Sequence, residues 1–347
     1  MRIAVIPGDG IGQEVVPAAI ACIDAALARH DSRVDWVHHD WGSDLYQRTG
    51  GMMPADGIEV LSRHDAIFLG AVGMPGIPDT ETLWGLLIPI RREFRQYVNL
   101  RPVRALAGVP SPVAGGDGID IVLVRENNEG EYSEVGGRTY RGRAEEEAIQ
   151  VNVFTRHGIE RVARYAVAQA RRRRGLLTSA TKSNGIIHSM PFWDEVVAEV
   201  AAGTPEVRLE SILIDALAAR LVLDPGRFDV IVASNLFGDI LSDLAGAIAG
   251  SIGVAPSANL NPEREYPSLF EPVHGSAPDI AGRGIANPVG AIWSGAMMLE
   301  HLGHVEAADD LTAAFRRVTA DGVRTADLGG TATTSEVSAA VVAQLTA

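Results

Sequence analysis

Cysteine is almost absent from this sequence: Cys22 is the only one in 347 residues. No internal disulfide can form, and a thiolate metal site would have a single ligand. Long hydrophobic runs are missing as well. No segment approaches the roughly 18 uninterrupted apolar residues that a membrane span requires, and the opening MRIAVIPGDG holds too short an apolar run for a secretory signal. Basic charge is in deficit, since 30 Lys and Arg against 44 Asp and Glu leave a formal net charge of −14. That balance disfavours the basic face needed to bind nucleic-acid phosphates. The one basic run, Arg171 to Arg174, closes a helix and complements its dipole. These absences point to a soluble, cytoplasmic protein that binds neither nucleic acid nor membrane.

What is present reads as an α/β enzyme. The apolar run Ile3 to Ile6 breaks at Pro7-Gly8, as a buried strand entering a turn does. Apolar residues at helical spacing follow over 13–29. The same strand-then-helix rhythm recurs at 66–72 and 82–95, at 176–181 and 186–201, and at 229–234 and 237–249. Such alternation predicts a largely parallel sheet. Two stretches break it. Residues 108–118 are a Pro- and Gly-rich loop, and residues 131–149 are too polar for core, fitting either a projecting arm or a surface excursion.

Between Val230 and Pro262 the only ionisable side chains are Asp239 and Asp243. Four apart on a helix, they share one face. Their apolar flanks predict a largely buried helix, and buried carboxylates need a counter-charge. Hard oxygen donors of this kind suit Mg²⁺ or Mn²⁺. A cationic constellation accompanies them: Arg91, Arg92, Arg95 and Arg101 in IRREFRQYVNLRP, and Arg125 at the end of the strand 119–124. Guanidinium forks match carboxylates bidentately, so converging arginines suggest a di- or tricarboxylate ligand. Arg125, at a strand's carboxyl end, is the stronger candidate; Arg92 and Arg95 read as surface charge. The turn Gly8-Asp9-Gly10-Ile11-Gly12 is spaced G-x-G-x-G, a weak dinucleotide signature that reads equally well as a tight structural turn.

Together with NLRP at 99–102, VRENNEGEY at 124–132, TKSN at 181–184, NLFGDILSDLAG at 235–246 and EPVHGSAPDIAGRGIANP at 271–288, these residues resemble the β-decarboxylating dehydrogenases. That family contains the isocitrate, 3-isopropylmalate, homoisocitrate and tartrate/D-malate dehydrogenases. The resemblance runs nearly end to end. WGSDLY at 41–46, MMPADG at 52–57, LWGLL at 83–87, RREFRQYVNLRPVR at 91–104 and APSANLNPER at 255–264 are similar to its D-malate/tartrate branch.

The resemblance implies the isocitrate/isopropylmalate dehydrogenase-like fold, not Rossmann: an α/β architecture of two domains with a shared parallel/mixed sheet. Residues 1–98 and 250–347 would form a discontinuous cofactor-binding domain, and 99–249 a substrate and dimerisation domain whose arm, at about 131–149, clasps the partner in a homodimer. Arg91, Arg101 and Arg125 would grip a 2-hydroxy dicarboxylate substrate. Asp215, in LIDAL, would join Asp239 and Asp243 around Mn²⁺ or Mg²⁺, with Lys182 and Asp215 reaching across the dimer interface. His274, Gly275, Ser276, Ala277 and Asn287 would line the adenine side of NAD, and Asp279 would accept its ribose hydroxyls and repel a 2′-phosphate. K⁺ is a further candidate cofactor. Lys182 would take the substrate's hydroxyl proton and Tyr132 would protonate the enolate left by CO₂, turning D-malate into pyruvate. Leu87 and Ile88 occupy the stretch where isopropylmalate enzymes hold their isopropyl group, which keeps 3-isopropylmalate as a rival substrate. Trp84, bulky beside them, favours a smaller one. A non-catalytic regulatory subunit would have lost a metal aspartate, the lysine or the tyrosine; all are present.

Overall fold

Each apolar run becomes a strand covered on both faces. The structure is a computed structural model describing residues 1–347. Its strands are β1 (Arg2–Gly8), β2 (Asp35–His38), β3 (Ala66–Ala71), β4 (Val98–Arg104), β5 (Asp120–Glu126), β6 (Gly136–Thr139), β7 (Glu147–Gln150), β8 (Leu176–Thr181), β9 (Arg208–Leu213), β10 (Val230–Ala233), β11 (Pro256–Leu260) and β12 (Ser268–Pro272). Ten of them make one sheet in the order β2-β1-β3-β12-β11-β4-β5-β10-β8-β9. The outer pairs are parallel, but β12–β11, β11–β4 and β4–β5 run antiparallel. The expected parallel/mixed sheet is therefore two parallel wings joined by an antiparallel seam.

Helices explain why the strands are apolar on both sides. Gly12–Ala28, Val289–His301, Val305–Ala320 and Thr334–Thr346 pack together, so the two ends of the chain share one layer. On the opposite face of β1, β3 and β12, Ala4, Ile6, Ile67, Leu69 and Leu269 meet Leu86, Leu87, Ile90 and Phe94. The other wing packs Arg156–Arg171 on β5, β8 and β10, and Asn235–Ile248 on β4, β5 and β10. The helix expected over 82–95 begins earlier, at Asp79, and runs to Glu93 with a π turn at Leu83–Leu87. The polar stretch 131–149 contains a hairpin of β6 and β7, which pair only with each other and are exposed throughout.

Cross-strand partners point to the same face of a sheet. Glu271 pairs Ser257, Asn259 pairs Asn99, and Asn99 pairs Arg125; alternation adds Arg101 to that face. Phe270, Ala258, Leu100 and Val124 turn the other way, into the main core. One face of the seam is thus polar and charged, and the other is apolar.

The helix Gly12–Ala28 lies so close to β1 and β3 that glycine is required between them. A Cβ on Gly70 would lie 2.3 Å from the Pro7 carbonyl oxygen and 2.8 Å from Gly12 Cα. Gly70→Ala should therefore cost about 1–3 kcal/mol by overpacking; urea unfolding measures it, and an unchanged midpoint would contradict this packing.

Candidate active site

The seam opens into a cavity of about 280 Å³ lined by Arg91, Arg92, Arg101, Arg125, Tyr132 and Asp239, with Leu83, Trp84, Leu87 and Ile88 as an apolar wall. Arg125 is held on all sides: Nη1 donates to Asp239 Oδ1 at 2.5 Å, and Nε and Nη2 donate to Asn235 Oδ1 at 3.0 and 2.7 Å. Arg101 Nη1 donates to Ser242 Oγ at 2.5 Å and lies 3.3 Å from Asp243 Oδ1 and 3.5 Å from Asp239 Oδ1. Arg91 Nη2 donates to Glu271 Oε1 at 3.0 Å, and Asn259 Nδ2 donates to the same oxygen at 2.7 Å. All three predicted arginines converge, and Arg91 Nε and Arg101 Nε remain buried without a partner. Guanidinium groups converging on one cavity are what a carboxylate ligand would match.

Burial lowers the basicity of both inner arginines: Arg101 falls below its ordinary value, and Arg125, with Arg101 beside it, drops to about 10. Burial alone would push the Asp239 carboxyl up, but the guanidinium groups of Arg125 and Arg101 outweigh it and hold it low. Tyr132 donates its hydroxyl to Asp239 Oδ2 at 3.0 Å. Burial and that carboxylate raise the Tyr132 pKa, so the phenol keeps its proton.

Asn235–Ile248 brings Asp239 and Asp243 to one face, as their spacing predicts, but this face is not buried. Asp239 is half-buried, and Ile240 and Asp243 are exposed. The helix is largely buried, as its apolar flanks predict, with eight of its fourteen residues buried; the stripe that carries the carboxylates is the part left open. Asp215 does not join them within the chain, where no three acidic, His or Cys side chains cluster. It accepts a 2.7 Å hydrogen bond from Lys182 Nζ, which lowers its pKa. Neither Lys182 nor Asp215 lines the cavity.

His274 and Gly275 form one rim of the cavity. His274 Nε2 is buried without a partner, and burial lowers the ring's pKa. Ser276 is buried, Asp279 is exposed, and Ala277 turns the loop at φ +40°. Asn287 caps Val289–His301 and donates to Asp327. The turn 8–12 backs onto this loop: Ile11 N donates to the Ser276 carbonyl at 2.8 Å, and a Cβ on Gly10 would lie 2.0 Å from that oxygen. Gly10 is needed for this close approach, which favours the structural reading of the turn.

Residues 2–341 match the isocitrate/isopropylmalate dehydrogenase family. The chain belongs to that family. It is 56% identical over 353 residues to D-malate dehydrogenase (decarboxylating) of Escherichia coli, covering 98% of this chain and 97% of that one. It is 54% identical to tartrate dehydrogenase/decarboxylase of Pseudomonas putida over 352 residues, covering 98% and 96%. Among solved structures it is similar to isocitrate dehydrogenase from Methylococcus capsulatus, with a TM-score of 0.89, 34% identity and 99% of each chain covered. The resemblance, the fold class and the reading as a decarboxylating dehydrogenase acting on a CH–OH group are borne out. Members of the family generally use NAD(P) and a divalent metal, act on small molecules and are commonly dimeric. No helix of this chain is long and apolar enough to cross a membrane.

Several residues of the family site escaped the sequence reading. Arg92 is no mere surface charge, since it lines the cavity; Arg95, exposed and 3.7 Å from Glu265, is one. The acidic residues of VRENNEGEY hold the Tyr132 segment together. Glu131 accepts from Ser234 Oγ at 2.7 Å and from Leu236 N at 3.0 Å, capping the helix that carries Asp239. Glu129 accepts from Thr155, and Glu126 accepts from the backbone of Asn128 and Glu129. The signal was the density of carboxylates beside a Gly turn, which resembles a solvated loop until the fold closes over it.

Burial raises the Glu126 carboxyl from 4.5 to about 7. A pKa higher in the folded state means the folded protein holds this proton more tightly. The stability it contributes is full below pH ~4.5 and is lost as pH rises to about 7, by on the order of 3 kcal/mol. In Glu126→Gln, unfolding free energy relative to the parent should rise with pH across that window. A difference independent of pH would contradict the assignment.

Proposed function

We propose that this chain catalyses NAD-dependent oxidative decarboxylation of D-malate, and of tartrate-like 2-hydroxy diacids, to a 2-keto acid and CO₂. The observation that carries the reading is the convergence of Arg91, Arg101 and Arg125 around a small cavity beside Asp239. The volume sits near the lower end of ligand pockets, roughly 300–1,000 Å³, as a four-carbon diacid suits. Leu83, Leu87 and Ile88 in the apolar wall also suit 3-isopropylmalate, the second reading. An alkyl difference discriminates by only about 1–3 kcal/mol, so overlap is expected.

The residues fit the groups that the family uses. Asp243 has oxygens left over beyond its long contact with Arg101, and hard carboxylates match Mn²⁺ or Mg²⁺. Asp239 and Asp243 would hold this ion, with Asp215 of a second copy and with K⁺ as a further cofactor. The unpartnered His274 Nε2 and the small loop Gly275-Ser276-Ala277 fit the adenine side of a dinucleotide, which Asn287 would help to line. Asp279, an exposed carboxylate, would bond ribose hydroxyls and repel a 2′-phosphate, which favours NAD over NADP. When bound, NAD⁺ accepts hydride from C2 and the metal draws electron density from the substrate oxygens.

The chain's own residues do the rest. The three arginines fix both carboxylates and so the orientation of C2. Lys182 takes the C2 hydroxyl proton. Once CO₂ has left C3, Tyr132, held protonated, returns a proton to that carbon from its hydroxyl. Lys182 and Asp215 lie outside the single-chain cavity, so the proposed enzyme is a homodimer whose sites draw on both copies. Exposed Ile187, Leu223, Ile240 and the arm's Tyr140 and Ile149 are apolar surface that such a partner would cover. The chain then divides into 1–98 with 250–347, and 99–249 with the arm, β4 and β11 meeting at the seam. A soluble cytoplasmic enzyme fits this reading.

NADH formation, measured with D-malate, tartrate and 3-isopropylmalate plus Mn²⁺ or Mg²⁺, should be fastest with D-malate and yield pyruvate. Turnover of isopropylmalate alone would overturn the substrate assignment. Asp243→Asn should abolish metal-dependent turnover without lowering Tm; undiminished activity removes the aspartates from the mechanism. Lys182→Ala and Asp243→Asn, each inactive, should regain activity when unfolded and refolded together. Half the dimers are then mixed and hold one intact site of two, so about a quarter of the sites recover. No recovery would mean that Lys182 serves its own chain's site.

A further inference from the structure

Arg92 bridges the two walls of the cavity. It ends the helical segment that supplies Leu83, Trp84, Leu87, Ile88 and Arg91. Its Nη1 lies 2.6 Å from Glu134 Oε2, and its Nη2 donates to the Tyr132 carbonyl oxygen at 3.4 Å. Its guanidinium stands 4.9 Å from the centre of the Trp84 ring. Trp84 and Glu134 belong to opposite sides of the opening, and one planar cation touches both. With Tyr132 this forms a continuous lip over the site.

The Tyr132 segment is anchored on its own side of the cavity, and Arg92 adds a contact from the other. Gly130 bonds Val153 and Glu131 caps a helix, but Tyr132 itself is 38% exposed, and from there the chain leaves for the exposed hairpin β6–β7. Its hydroxyl bonds Asp239 and its ring faces the Arg125 guanidinium at 5.6 Å, while Gln150 Nε2 and Ser133 Oγ tie the backbone around it to the returning strand. Arg92 is the contact from the opposite wall to that backbone. Its charge is matched by Glu134, a residue outside the cavity lining, whereas Arg91, Arg101 and Arg125 pair with carboxylates of the site itself.

We infer that Arg92, paired with Glu134 and laid on Trp84, is a positioning residue that latches the two walls and fixes Tyr132 over the reacting carbon. It does not grip substrate. The inference rests on the proposed role of Tyr132 in its kinetic part only; the latch itself is a property of the chain.

The test compares Arg92→Met, Arg92→Lys, Glu134→Gln and the double variant Arg92→Met/Glu134→Gln. Arg92→Met should lower kcat with D-malate about tenfold, because small misplacements of a reacting group are expensive, while KM changes by less than about twofold. Lysine, a point charge without the planar fork, should recover part of the loss. Glu134→Gln should act similarly, and the double variant should add little, as for two residues of one interaction. A raised KM at unchanged kcat would make Arg92 a substrate ligand and overturn the latch; additive losses or an unaltered kcat would do the same. Hydrogen exchange over residues 130–135 gives a readout that needs no turnover. It should quicken in Arg92→Met, with the helix Asn235–Ile248 unaffected. Unchanged exchange sinks the latch, whereas a parent protein inert towards D-malate sinks only the functional reading.

Discussion

Three guanidinium groups sit on one face of a sheet whose other face is hydrocarbon, and the structure depends on how they are neutralised. A buried cation without partners is prohibitively costly. Arg125 survives at 3% exposure because Asp239 and Asn235 both accept from it; Arg101 has Ser242, Asp239 and Asp243, and Arg91 has Glu271. Three positive charges thus meet three carboxylates. Every acceptor but Glu271 comes from one helix, Asn235–Ile248, so that helix must lie against β4 and β5 at a fixed height. Its Gly238 enforces the distance, since a Cβ there would come within 2.6 Å of Arg125 Cβ.

The antiparallel seam follows from the same requirement. Parallel wings alone would direct ligands to strand ends. Here β12, β11, β4 and β5 set Glu271, Asn259, Asn99, Arg101 and Arg125 side by side on the sheet face. Asparagines link them: Asn99 and Asn127 both donate to Asn259 Oδ1, at 3.0 and 2.9 Å, and Asn259 donates to Glu271. Amides suit a crowded charged face because each offers both donor and acceptor without adding charge. The network is buried and joined through the shared acceptor Asn259 Oδ1, while Asn99 Oδ1 and Asn127 Oδ1 keep no partner.

Much of this was legible in the chain. Apolar runs ending in Pro7-Gly8 or at Arg125 marked strands, and the isolated pair Asp239 and Asp243 marked a helix face with a purpose. The family motifs supplied Lys182, Tyr132 and Asp215. What was not legible depends on pairing between distant segments. Nothing local to β11 announces that it runs against both neighbours. Arg92 and Arg95 are chemically alike and three apart, yet the first points into the cavity and the second to Glu265 on the surface, because Arg95, at φ +46°, already lies beyond the helix end. The sequence assigns no role to Glu126, Glu129 and Glu131, and only the close approach of 234–236 and 153–158 makes Glu131 and Glu129 anchors. The aspartate helix is largely buried, as expected, but hydrophobicity does not say which stripe is left open.

That open stripe bears on how the proposed reaction begins. The cavity's own charges cancel, three guanidinium groups against Asp239, Asp243 and Glu271. A dianionic substrate alone would leave the site with two excess negative charges, and a divalent cation alone with two excess positive ones. Bound together they restore neutrality. At short range and reduced dielectric, each uncompensated charge is worth several kcal/mol, so in the proposed reading the diacid and the cation strengthen each other's binding, necessarily by the same factor. In that reading the substrate and the cation would add two charges of each sign to the three already present, and every arginine would keep an anionic partner. A site whose charges stay balanced as its ligands arrive can bind a highly charged ligand without first unfolding the charge network that holds its strands in place.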